Sequence, residues 1–324
     1  MTPTVSVVIP CYNEVGTLRD LHAQVRAEFT ALLVEAEIIF IDDGSTDGSR
    51  ELLRQLAEED PACRVVFFRR NSGKAAALHV GFANAQGEYV LTMDADLQDD
   101  PREIPRFLEA LQTSDVVSGW KVNRLDPIGK TLPSKLFNAT VRKVTGVRLH
   151  DMNCGFKGYR RQVLQEVTLY GELHRYIPAL AAARGFRIAE LGVTHHPRRS
   201  GVSKYGWERF IRGFMDLLTV AFLTKYRYRP LHAFGGLGVV LTLIGLVLGA
   251  VMSPFLTVST WSPPAWHFIF WLLATALLVL GPLLIAMGVL AESLLANTFP
   301  LLPPPPISER INFSQRDETD HGLR

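Results

Sequence analysis

The chain has 324 residues, 48% of them hydrophobic and 20% charged, with 34 Lys and Arg against 32 Asp and Glu and a formal net charge of +2. So small a charge excludes a global electrostatic drive towards nucleic acid, and any anion site must come from local basic clusters. The average also joins two compositions: Pro230 to Ala291 contains no Lys, Arg, Asp or Glu, which argues against a wholly soluble protein.

Cys11, Cys63 and Cys154 are too few and too scattered for a disulfide framework or a cysteine-based zinc site, which fits a reducing compartment. The opening MTPTVSVVIPCYNE lacks a basic segment followed by a long apolar one. No cleavable signal peptide is therefore expected, and the N-terminal domain is expected in the cytoplasm.

In chain order, Val5 to Pro10 reads as a strand and Thr17 to Leu33 as a helix. Ala36 to Ile41 is a second strand, running into Asp42, Asp43 and Gly44, and Ser49 to Ala57 a second helix. Val65 to Phe68, Lys74 to Ala85 and Tyr89 to Met93 continue as strand, helix and strand, the last leading directly into Asp94-Ala95-Asp96. This alternation predicts an α/β domain, a mainly parallel sheet with helices on both faces and ligands at the carboxyl ends of its strands.

Beyond it, Arg124 to Val147 mixes basic and apolar residues, as an amphipathic helix on a membrane or a basic face over a small core would. Tyr205 to Tyr228, with Trp207, Phe210, Phe214 and Phe222 between basic residues, reads as an interfacial helix. The uncharged block holds two spans, about 231–258 and 266–290, each long enough for the roughly 20 residues that cross a hydrocarbon core. Lys225, Arg227 and Arg229 precede the first span and the connecting turn is uncharged, so both termini are expected on the cytoplasmic side of the inner membrane. The expected organisation is a domain over 1–229, a transmembrane hairpin over 230–291 and a proline-rich tail over 292–324.

Asp94 and Asp96, two apart at a strand end, can point both carboxylates one way, and Gln98 continues the spacing. Hard oxygen donors of this kind suit Mg²⁺ or Mn²⁺ shared with a substrate diphosphate. Asp42 stands where an acid accepts hydrogen bonds from a ribose or base, while Asp43 or Asp47 can cap the following helix. Lys74 opens a helix behind Gly73, a place that suits phosphate neutralisation without a complete phosphate-loop pattern. His195-His196 lacks a zinc partner spacing, and Cys154 reads as a packed side chain.

The segments VSVVIPCYNE, DDGSTDGS, NSGKAAAL and DADLQDDP, in this order and spacing, resemble family 2 glycosyltransferases of the GT-A fold. With DMNCGFKGYRR, GELHRYIP, RRSGVSKY and two spans, roughly residues 4 to 295 look like the polyprenyl-phosphate glycosyltransferases, including dolichol-phosphate mannosyltransferases and bacterial relatives. The resemblance implies that Pro10, Tyr12, Glu14 and Asp42 surround the nucleotide, with Lys74 near it. It also implies that Asp94, Asp96 and Gln98 bind the metal. Arg198, Ser203 and Lys204 match an R-x-x-G-x-S-K pattern that closes over the phosphates of donor and acceptor; from the residues alone the segment is a mobile basic loop. Asp151 occupies the place of an acid beside the acceptor, or caps a turn, and Glu172, His174 and Arg175 are secondary candidates for sugar or acceptor contacts.

The expected reaction is inverting transfer of one sugar from a UDP- or GDP-sugar to polyprenyl phosphate at the cytoplasmic membrane face. The acceptor is mostly a dianion at neutral pH, its second pKa being about 6, so it needs no dedicated base. Asp96, Asp151, Arg198 and Lys204 are the expected catalytic group. The expected partners are the nucleotide sugar, the lipid acceptor, membrane lipid and a second copy of the chain in a homo-oligomer. A processive polysaccharide synthase would carry a Q-x-x-R-W motif and more spans, and neither is found. A non-enzymatic scaffold would not need the intact acids and cations.

Overall fold

The computed structural model describes residues 4–122, 140–143, 145–167, 173–196, 208–226, 229–253 and 265–298. Two compact units divide at Val220 and Ala221.

The first unit is built on seven strands: β1 (Val5–Cys11), β2 (Ala36–Asp42), β3 (Cys63–Phe67), β4 (Tyr89–Thr92), β5 (Val116–Lys121), β6 (Lys157–Arg160) and β7 (Ile188–Val193). They form one sheet in the order β3-β2-β1-β4-β6-β5-β7. Pairing is parallel except around β6, which runs antiparallel to both β4 and β5. The sequence-predicted strands match β1 to β4 to within two residues at each end. Strand β6 was not among them: at four residues with two basic side chains it carries little apolar signal.

Helices cover both faces because buried residues alternate along each strand. Val7, Ile9, Ile38 and Phe40 pack against α1 (Leu18–Leu32), α2 (Ser49–Glu59) and α4 (Ile104–Thr113). Val8, Ile39 and Ile41 face α3 (Lys74–Asn84), and Val116 and Tyr159 face α5 (Arg161–Glu166) and α6 (Ile177–Ala183). On the α3 side, one row crosses the sheet by register as Ile39, Val8, Thr92, Lys157, Ser118 and Glu190. Its first two members are apolar and the other four are polar. Thr92, Lys157 and Ser118 are nevertheless buried.

Helix α7 (Glu208–Ala221) and a π-turn over Phe222–Tyr226 occupy the described part of the expected interfacial segment. On α7, Leu217 and Val220 are buried while Met215 and Leu218 are exposed. Trp207, most of Arg124 to Val147 and residues 299–324 of the expected tail lie outside the described residues.

The second unit is a pair of helices, α8 (Pro230–Met252) and α9 (Ala265–Thr298), both long and apolar enough to cross a membrane. Their Leu and Val side chains are largely exposed, as for surfaces whose solvent is lipid. The described part of α8 ends at Met252, and residues 254–258 of the expected span lie outside the described residues. Helix α9 runs beyond the expected 290. There Glu292 accepts a hydrogen bond from the Leu231 backbone N–H at 3.1 Å, capping the open N-terminus of α8. The helices approach closely where side chains vanish: a Cβ on Gly281 would lie 2.1 Å from Thr242 Oγ1 and 2.6 Å from the Gly238 carbonyl.

Candidate active site

The carboxyl ends of β1, β2 and β4 converge. After β1, Pro10 is half-buried and Tyr12 exposed, and Asn13 takes a left-handed φ of 58°. That conformation is held from β2: Asn13 N donates to Ser45 Oγ at 2.9 Å and its side chain accepts from Thr46 N at 2.8 Å. Glu14 N donates to Ser49 Oγ at 3.0 Å. Thr17 Oγ1 donates to the carbonyl of Ala95 at 2.7 Å, tying the β1 loop to the acidic loop after β4.

The three aspartates after β2 divide the work. Asp47 accepts from Ser49 N (3.0 Å) and Val15 N (3.1 Å), and Asp43 accepts from Ser72 N (2.6 Å) and Gly73 N (2.9 Å), which positions the start of α3. Asp42 is fully buried, accepts from Ser45 N at 3.2 Å and lies 3.6 Å from the guanidinium of Arg50.

After β4, the Asp94 carboxylate is paired with the ammonium of Lys74 at the first turn of α3. Burial works to raise the pKa of Asp94, but Lys74, joined by the charges of Lys121 and Lys157, outweighs it and holds the carboxyl below its ordinary range. Asp99, whose carboxylate accepts from Asp94 N at 3.2 Å, is pushed up to about 7 by burial and by the Asp94 charge. Asp96 accepts from Gln98 N at 3.2 Å, and between them Leu97 is buried with a left-handed φ of 58°. A backbone strained at this point persists only because its surroundings fix it.

Gly155 lies against the Asp94 carboxylate. A Cβ there would sit 2.6 Å from Asp94 Oδ2, so glycine leaves the room the carboxylate uses. Among the described residues no group of three or more His, Cys, Asp or Glu side chains forms a complete metal cage. The donors present are hard oxygens beside an open strand end, which fits Mg²⁺ or Mn²⁺ completing its shell with substrate phosphate.

Asp151 is buried in the loop before β6 and accepts from Asn153 N at 3.1 Å; its own N–H and that of His150 donate to Glu190 Oε1. His195 and His196 lie against the acidic loop. His195 bridges Asp99, His196 N donates to the Gln98 carbonyl at 2.9 Å, the Gln98 side-chain amide donates to the His196 carbonyl at 3.4 Å, and His196 Nε2 stands 3.1 Å from Asp100. The histidines thus hold the chain to the acidic loop two residues before Arg198. Arg198, Ser203, Lys204 and Glu172 themselves lie outside the described residues. Cys154 is buried and its thiol is pushed up to about 12 by that burial, so it remains protonated.

Lys157 was not singled out by the sequence. It is 4% exposed, donates to the Cys154 carbonyl, and is held below the ordinary lysine range by burial. The signal available was the alternation in Cys154-Gly-Phe-Lys-Gly-Tyr159, which puts Lys157 on the same strand face as Gly155.

The chain belongs to glycosyl transferase family 2, whose sequence profile matches residues 6–168. It is a glycosyltransferase, and the relatives it is similar to act on polyprenyl phosphates. Dodecaprenyl-phosphate galacturonate synthase of Rhizobium johnstonii is 41% identical over 254 residues, 75% of each chain. Undecaprenyl-phosphate 4-deoxy-4-formamido-L-arabinose transferase of Aeromonas hydrophila subsp. hydrophila is 38% identical over 296 residues, 89% of this chain and 87% of the relative. Among solved structures, glucosyl-3-phosphoglycerate synthase from Mycobacterium tuberculosis, in complex with Mn²⁺, UDP and glucosyl-3-phosphoglycerate, shares the fold with a TM-score of 0.52. Its identity is 19% over 68% of this chain and 80% of that one.

Proposed function

We propose that the protein transfers a single sugar, with inversion, from a nucleotide sugar to a polyprenyl phosphate at the cytoplasmic face of the membrane. The observation that carries this reading is the meeting of Asp94, Asp96, Asp99 and Lys74 at one sheet edge, in a chain that also has two helices of membrane-spanning length. The relatives named above support the acceptor class, and the neighbour solved with Mn²⁺ and UDP supports a metal-bound nucleotide.

In this reading a phosphate oxygen of the acceptor attacks the anomeric carbon as the bond from that carbon to the diphosphate breaks. The electron pair leaves with the nucleoside diphosphate, and the acceptor dianion requires no proton removal. Asp94 and Asp96, with Gln98 beside them, would hold Mg²⁺ or Mn²⁺, which would supply charge neutralisation. Lys74 steers and neutralises the departing diphosphate, and Arg198, Ser203 and Lys204 serve the phosphates of donor and acceptor. Pro10, Tyr12, Glu14 and Asp42 frame the nucleotide, and Asp151 positions the acceptor. The domain over 1–229 carries the chemistry, and the hairpin over 230–291 keeps the enzyme where the acceptor's isoprenoid tail is.

A panel of labelled UDP-galacturonic acid, UDP-glucose, UDP-N-acetylglucosamine and GDP-mannose tests this, offered with undecaprenyl phosphate to the full chain in lipid vesicles. One labelled lipid carrying one sugar is the expected result. A growing polymer would make the enzyme a synthase, and no product with any donor would contradict the reading.

A further inference from the structure

The polar half of the row across the sheet holds up the loop that carries Asp151. Thr92 Oγ1 donates to the Gly155 carbonyl at 2.8 Å, Lys157 donates to the Cys154 carbonyl, and Glu190 accepts from His150 and Asp151 N–H groups. These bonds do not use the strip's full capacity. An ammonium has three N–H donors, and among the described residues Lys157 places one. Ser118 Oγ, its register neighbour, is fully buried without a hydrogen-bond partner among the described residues. Asn153 Oδ1, one residue from the carbonyl that Lys157 holds, and Nδ1 of His174 are in the same condition. The charges of Lys74, Lys157 and Asp94 all act on His174.

Buried polar atoms in native proteins are nearly always satisfied, so several unsatisfied ones together point to a ligand. Their chemistry narrows its class. Lys157 is a pure donor and Asn153 Oδ1 a pure acceptor, while a serine hydroxyl does both. A phosphate has acceptors only and leaves the acceptor capacity of Ser118 and Asn153 unused. A sugar hydroxyl donates and accepts and can satisfy all of them.

We propose that Lys157 and Ser118, with Asn153 and His174, form a buried floor beneath Asp94 that hydrogen-bonds hydroxyl groups of the transferred sugar. This rests on the proposed transferase reading and adds to it a place where the donor sugar is read. Lys157 is then a substrate-binding residue as well as the support of the Asp151 loop. Ser118 reads the sugar without supporting the loop.

The test uses the full chain in detergent, the donor that the panel above turns over, and its free nucleoside diphosphate. Lys157→Met and Ser118→Ala should leave affinity for the free diphosphate within twofold of wild type. They should weaken donor binding about 10-fold or more and about 3-fold or more respectively, with Lys157→Arg recovering part of the loss. Equal weakening of donor and diphosphate, a raised acceptor KM with unchanged donor binding, or no change in any of these would overturn the proposal. If Lys157→Met unfolds, as its thermal midpoint would reveal, Ser118→Ala decides alone. A wild-type chain that turns over no donor is a failure of the transferase reading, seen before any variant is made.

Discussion

Lys74 and Asp94, at the start of α3 and the end of β4, form an ion pair that links the glycine-loosened loop Asn71-Ser72-Gly73 to the acidic loop. The pair gathers a cation and a metal-type carboxylate at one point, and its surroundings show how it is kept there. Asp43 fixes Ser72 and Gly73, Gly155 leaves the carboxylate its space, and Thr17 ties down Ala95.

Replacing Asp96 by Ala should cut transfer on the order of 100-fold or more, the scale seen when a group stabilising transition-state charge is removed. Activity measured against added Mn²⁺, together with the thermal midpoint, checks this. The variant should stay folded, and full activity would remove Asp96 from the metal site.

Gly155→Ala should disable the enzyme through sterics alone, because the new Cβ would meet Asp94 Oδ2 at 2.6 Å. Crowding of this kind costs about 1–3 kcal/mol and displaces the carboxylate. Kinetics should show a fall in kcat larger than that of an alanine substituted at the solvent-exposed Gly16, where nothing lies within 4 Å.

Thr17→Val removes the donor to Ala95 O and leaves that carbonyl without it. A loss of about 1–3 kcal/mol is expected, because Thr17 is buried and water cannot readily replace it. Thermal unfolding of the full chain in detergent measures it.

His174 gives a pH dependence of stability. Burial, then the charges of Lys74, Arg175 and Lys157, against the opposing charge of Asp94, lower its pKa from 6.5 to about 3. Between these values the unfolded chain holds the proton and the folded chain does not. The contribution is therefore complete above about pH 6.5 and is lost as pH falls towards 3, by at most about 1.4 kcal/mol per pH unit. His174→Gln should flatten the decline of the thermal midpoint between pH 6.5 and 5; an unchanged slope would contradict the assignment.

The sequence made β1 to β4 legible because each is a short apolar, largely β-branched run, and the acids Asp42 and Asp94 were visible because they directly follow two of those runs. The other edge of the sheet was not legible. Strand β6 enters antiparallel between β4 and β5, a pairing fixed by tertiary contacts such as Phe107 stacked on Phe156 at 4.2 Å rather than by local pattern. Lys157 and Asp99 read as surface residues in a one-dimensional pattern, since lysine and aspartate are seldom buried. Only the register that sets Thr92, Lys157 and Ser118 side by side reveals the polar strip. The second apolar helix was legible in its core and not at its end, where the charge of Glu292 reads as a boundary and in the fold caps α8.

The proposed activity places one sugar on one lipid phosphate. Mass spectrometry of lipids extracted from vesicles holding the full chain, undecaprenyl phosphate, Mn²⁺ and each nucleotide sugar in turn tests it most directly. The expected product is undecaprenyl phosphate heavier by a single glycosyl unit with at least one donor, and it should disappear in Asp96→Ala. Polymer, or unmodified lipid with every donor, would contradict it.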